Sequence, residues 1–133
     1  MSISNEKIIR IGAEYNEPLD NLSEGVEEIY FDNESKFNHP LDNLPKSLKI
    51  LKLGFFYNKP LDFLPAGLET LIISYYYKYP MINFPAGLKR LGLPVKPPPP
   101  PFGKHLHEYQ DIVGDKVEFF MVHKSDFYKN KKK

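Results

Sequence analysis

The stretch Phe37-Asn38-His39-Pro40-Leu41-Asp42-Asn43-Leu44-Pro45-Lys46-Ser47-Leu48-Lys49-Ile50-Leu51-Lys52-Leu53-Gly54 decides the fold, because the chain repeats it. Its first half returns as Tyr57-Asn58-Lys59-Pro60-Leu61-Asp62-Phe63-Leu64 and precedes itself as Tyr15-Asn16-Glu17-Pro18-Leu19-Asp20-Asn21-Leu22. A worn copy runs Tyr77-Lys78-Tyr79-Pro80-Met81-Ile82-Asn83-Phe84. Pro18, Pro40, Pro60 and Pro80 lie 22, 20 and 20 residues apart. A fixed period of this length marks a solenoid, in which each copy is one coil that cannot bury its apolar face alone.

The second half of each copy carries a Leu-x-x-Leu-x-Leu pattern: Val26, Ile29, Phe31; Leu48, Leu51, Leu53; Leu68, Leu71, Ile73; Leu88, Leu91, Leu93. Its last two apolar residues alternate with a variable one, as in a short half-buried strand. Ile9-Arg10-Ile11-Gly12 fits the same strand 20 residues ahead of Ile29 and Phe31. The reading is a mainly β, leucine-rich-repeat-like solenoid with a short parallel sheet of about five strands. Proline fixes φ and removes a donor, so the return segments are expected to be extended or turn-like. Asp20, Asp42 and Asp62 are expected to cap a single helical turn after each Pro-Leu step. Gly67 and Gly87, in Pro-Ala-Gly-Leu, are expected to take positive φ in tight turns. Tyr15, Phe37, Tyr57 and Tyr77 should stack from coil to coil. Asn16, Asn38 and Asn58 follow them where a buried amide can bond neighbouring backbone, and Lys78 breaks that ladder.

Phe37 to Gly54 closely resembles the Phe-Asn-x-Pro-Leu-x-x-Leu-Pro-x-x-Leu-x-x-Leu-x-Leu-Gly consensus of FNIP repeats. Tyr57 to Ile73 resembles it closely, Tyr15 to Phe31 moderately and Tyr77 to Leu93 weakly. The family, a relative of leucine-rich repeats, is known from social amoebae and from giant viruses of amoebae. The resemblance implies a protein-interaction role, intracellular and in host cytoplasm for a viral member. Some viral members add an F-box, which nothing here resembles.

The division that follows is an N-terminal strand and cap over residues 1–14 and four FNIP-type repeats over 15–96. A polyproline spacer at 97–101 leads to a C-terminal cap segment and basic tail over 102–133. Pro97–Pro101 reads as a stiff extended spacer rather than a ligand for an SH3-like domain, since no arginine flanks it. Val117-Glu118-Phe119-Phe120-Met121-Val122 is rich in strand formers, either covering the last coil or pairing with another copy.

The chain has 133 residues, 41% hydrophobic and 26% charged, which suits one folded domain. Most of its thirteen prolines fall at repeat positions or in the one run, so disorder is not their explanation. The absence of cysteine excludes disulfides, thiolate metal sites and a cysteine nucleophile. The first residues lack the apolar core of a secretory signal, and no apolar run is long enough to span a membrane. Net charge is +1. From His123 on, five lysines less Asp126 give +4, leaving −3 elsewhere. That tail reads as a solvated terminus, and nucleic acid is the weakest candidate partner.

His105, His107, Glu108 and His123 are the only cluster with metal-ligand chemistry, and they lack a closed four-ligand spacing. His39 reads as a surface histidine. The recurrent aspartates fall at one structural position, which fits caps better than paired-acid catalysis or calcium binding. No phosphate-cradling loop or serine nucleophile motif appears, so neither an enzyme nor a cofactor is expected.

Residues alternating with the buried strand positions are expected to form rows on a concave face. The central row is Arg10, Tyr30, Lys52, Ile72 and Gly92. It is flanked by Ile8, Glu28, Ile50, Thr70 and Arg90, and by Gly12, Asp32, Gly54, Ser74 and Pro94. Arg10, Glu28, Tyr30, Asp32, Lys52, Ile72 and Arg90 are the candidate contacts for a protein partner. Phe55, Phe56, Tyr75 and Tyr76 either extend that patch or fold into the turns. Self-association through the solenoid ends is the alternative function.

Overall fold

Alternating apolar residues at a constant spacing place equivalent strands side by side, and the sheet follows sequence order. The computed structural model describes residues 7–19, 22–61, 63–74, 77, 84–94 and 117–122. Six strands form one parallel sheet: β1 Ile8–Ile11, β2 Glu28–Phe31, β3 Ile50–Lys52, β4 Thr70–Ile72, β5 Arg90–Pro94 and β6 Glu118–Val122, ordered β1-β2-β3-β4-β5-β6. The register runs unbroken through Ile9, Ile29, Leu51, Leu71, Leu91 and Phe119. The chain is therefore a leucine-rich-repeat-like β-solenoid. The sixth strand exceeds the five read from the repeat, and its ladder partner is β5 of the same chain. Counting repeats could not reveal it, because β6 follows a segment without the proline-leucine signature.

The core is a stack of ladders. Val26, Leu48, Leu68 and Leu88 form one, each at most 5% exposed, and Leu19, Leu41 and Leu61 another on the return side. The aromatic ladder forms from Tyr15 to Tyr57: Tyr15 and Phe37 stack at 6.4 Å and Phe37 and Tyr57 at 6.0 Å, and Tyr77 is buried in the following coil. The asparagine ladder also forms, but at the surface. Asn16 Oδ1 accepts from Asn38 N (3.2 Å) and Asn38 Oδ1 from Asn58 N (2.9 Å), with Asn16 and Asn38 exposed. Lys78 lies outside the described residues.

Two local expectations are corrected. No helical turn forms among the described residues after Pro40-Leu41, where Asp42 is exposed on an extended segment. Leu41 and Leu44 both point inward there, 3% and 9% exposed. Asp20, Asp62 and Ile82 lie outside the described residues. The four turns before the strands do form, closed by Val26, Leu48, Leu68 and Leu88 N–H donating to the carbonyls of Ser23, Pro45, Pro65 and Pro85. Positive φ, however, occurs at Gly25 (144°) and not at Gly67 or Gly87. Gly87 is needed for close approach instead: a Cβ there would sit 2.7 Å from the Ala66 carbonyl oxygen. Ser47 takes the glycine position by bridging coils, its hydroxyl donating to Val26 O (2.7 Å) and accepting from Gly25 N (2.9 Å).

The coil between β2 and β3 holds the two extra residues of the 22-residue period. Six positions separate Phe31 from Phe37, against four from Leu53 to Tyr57. The surplus forms the turn Asp32–Ser35, which leans against the next coil. Phe55 N donates to Asn33 O (2.8 Å), and a Cβ on Gly54 would meet Asp32 O at 2.6 Å. Gly54 thus makes room for the insertion.

Candidate docking face

Pleating sends residues 8 and 10 of β1, and their counterparts, to the side of the sheet opposite the core. The register aligns Arg10, Tyr30, Lys52, Ile72, Gly92 and Phe120 in one row and Ile8, Glu28, Ile50, Thr70, Arg90 and Glu118 in the next. Ile8 is 43% exposed, while Ile50, Ile72 and Phe120 are half-exposed. The face therefore carries an aliphatic strip between two arginines. Exposed Arg10 lies over the Tyr30 ring, 5.2 Å from its centroid. Exposed Arg90 lies over Phe120 at 4.5 Å, with its Nε 3.4 Å from the Glu118 carboxylate. Each cation gains from the negative face of its ring.

Phe120 and Glu118 were missed by the repeat reading. The signal available was Gly92, a missing side chain in the central row. A Cβ there would come within 2.7 Å of the Phe120 ring and 3.1 Å of Ile72 Cγ1, so the glycine is the floor on which Phe120 rests.

Three other candidates have internal work. The Tyr30 hydroxyl donates to Glu28 (2.6 Å). Partial burial, then this bond and the Glu28 charge, push the Tyr30 pKa up to about 12 against the lowering effect of Arg10. The Asp32 carboxylate accepts from Glu34 N (2.9 Å), which fastens the inserted turn.

Lys52 is a correction: it is 1% exposed and offers a partner nothing. Its ammonium turns to the inserted turn, donating to Phe31 O (3.0 Å) and Asn33 Oδ1 (2.8 Å). Asn33 and Ser35 are buried with it. Burial lowers its pKa from 10.5 to about 8, while the nearby Asp32 charge pulls the other way. The lysine thus serves the 22-residue coil.

Beyond the strands, Phe55 is buried at 2% and Phe56 is exposed at 54%, so the pair divides between core and surface. Tyr75 and Tyr76 lie outside the described residues, as do His105, His107, Glu108 and His123. Among the described residues no three His, Asp or Glu side chains gather as a metal site. His39 sits at the surface of its coil, its Nε2 3.0 Å from the carbonyl oxygen of Asn16, so that Nε2 donates.

One further row escaped the sequence reading. Lys7, Glu27, Lys49, Glu69 and Lys89 follow one another across the sheet, each backbone N–H from Glu27 onward donating to the carbonyl of the member before it. Their charges alternate, and Glu69 meets Lys49 at 3.6 Å and Lys89 at 3.7 Å. Such exposed pairs contribute little singly, but like charges side by side oppose pairing. Glu69→Lys should therefore lower stability by about 1 kcal/mol. The loss should shrink in high salt, as read by urea unfolding; a salt-independent loss would mean that packing, not charge, is responsible.

A parallel sheet of stacked coils with a partly apolar outer face defines a repeat scaffold. Residues 37–76 match the family model described as FNIP Repeat, so this stretch of the chain carries FNIP repeats. No curated protein matches it. Among the described residues no helix is long and apolar enough to cross a membrane.

Proposed function

We propose that this chain is a non-catalytic, intracellular protein-binding module whose partner docks on the sheet face opposite the core. The observation that carries the reading is the strip Ile8, Ile50 and Ile72 with Tyr30 and Phe120, kept partly exposed in register across five of the six strands. Burying half-exposed aliphatic and aromatic groups between flanking charges is what a protein interface requires. A rigid ladder also holds these groups in place before binding, which lowers the entropy lost on association.

Affinity capture by the protein and two variants tests this. Ile72→Asp places a charge in the middle of the strip. Phe63→Asp alters a 68%-exposed phenylalanine on the proline-leucine return segment. The partner should be lost with Ile72→Asp and retained with Phe63→Asp, both variants melting cooperatively. Undiminished capture by folded Ile72→Asp would remove this face from consideration.

A further inference from the structure

We propose that the docked partner is an extended segment of another protein whose apolar centre is flanked by two carboxylates, received by Arg10 and Arg90. This inference rests on the docking face proposed above and names the chemistry that fills it. The two arginines stand at opposite ends of the strip, on β1 and β5, and each lies over an aromatic ring. Stacking holds a guanidinium plane while leaving its N–H edge for a planar, forked acceptor such as a carboxylate. Among the described residues no acid pairs with Arg10, and Glu118 meets Arg90 at Nε, 3.4 Å away.

On β3 and β4 between them Lys52 is withdrawn into the inserted turn, so Ile50, Thr70 and Ile72 form the floor. The acids on the face are engaged: Glu28 accepts from Tyr30, Asp32 from Glu34 N, and Glu118 pairs with Arg90. Those three acids, against two arginines, disfavour a phosphodiester backbone, whose closely spaced charges need a continuous basic track. Four strand spacings of ~4.8 Å place the arginine rows ~19 Å apart, about six residues of extended chain. The segment therefore runs across the strands with acids about six positions apart and aliphatic or aromatic residues between.

Selection of a random peptide library displayed on phage against the whole protein tests this. Enriched peptides should carry Asp or Glu at about that spacing around an apolar centre. A synthetic winner should bind about fivefold more weakly to Arg10→Gln or Arg90→Gln, more weakly still to the double variant, and lose affinity as salt rises. Peptides that lose binding to Ile72→Asp yet lack paired acids, or ignore both arginine variants, would overturn the carboxylate assignment and leave the docking face standing. Enriched peptides indifferent to Ile72→Asp, or no enrichment at all, would overturn both.

Discussion

Raising the pH from about 8 to 10 should stabilise the fold, an unusual direction that traces to Lys52. Its pKa is about 8 in the folded chain against 10.5 for an unburied lysine. Between those values the unfolded chain holds a proton that the folded chain has released, so unfolding takes up a proton and stability climbs with pH. At about 1.4 kcal/mol per pH unit, the gain by pH 10 is on the order of 2–3 kcal/mol. Above pH 10 the sign reverses. Tyr30 is held near 12 and burial pushes the Tyr57 hydroxyl higher still, so the folded chain keeps protons that the unfolded one loses, starting from 10.0. Stability should therefore peak near pH 10. Urea unfolding in pH steps across this window reads the effect, and Lys52→Met should abolish the rising limb while leaving the falling one. A flat profile in the unaltered protein would mean that the Lys52 amine is hydrated.

That lysine also marks where sequence stops speaking. The period alone established a parallel sheet, its register and the inward apolar residues of the described coils, because each follows from which side chains recur at one spacing. The 22-residue coil was equally visible in the distance from Pro18 to Pro40. What it would demand was not. Two extra residues bring Asn33 and Ser35 into the interior, and their polar groups need partners. Lys52 supplies the donor that Asn33 Oδ1 accepts, and it is drawn from the very row that alternation assigns to solvent. Phe120 escaped for the complementary reason: a glycine in the neighbouring strand leaves a hole, but not the name of what fills it.

Local motifs misled where coil-to-coil contact decides the outcome. Pro-Leu-Asp is a sound helix start in isolation, yet Leu41 is held in the ladder between Leu19 and Leu61 and no helical turn follows it. Pro-Ala-Gly is a sound positive-φ turn, yet Gly87 serves the approach of one turn to the next. In both cases the neighbouring coil overrides the local preference. The alternating row from Lys7 to Lys89 was legible all along, provided the residue before each strand is read down the repeat rather than along the chain.

If stacking between coils is what holds each coil, the cost of deleting an aromatic should depend on its place in the ladder. Phe37 is 1% exposed and meets Tyr15, Phe31, His39 and Tyr57, with ring centroids between 4.9 and 6.4 Å. Phe37→Ala removes partners on both sides of its coil and leaves a cavity that two neighbours cannot both fill, so it should cost about 3–5 kcal/mol. Tyr15 faces Phe37 on one side and is partly exposed, its hydroxyl only 3.5 Å from the Pro18 carbonyl oxygen. Tyr15→Ala should cost about 1 kcal/mol, near the ordinary value for a point substitution. Phe37→Leu, which keeps most of the volume, should fall between them. Urea unfolding of the three variants separates this account from one in which each coil is stable by itself. In that case Phe37 and Tyr15 would cost amounts set by their own contacts within the coil, and removing Phe37 would not weaken the coils on either side. Hydrogen exchange makes the distinction residue by residue. Phe37→Ala should lower protection in both β2 and β3, because the ring it deletes is shared by the coils that carry them.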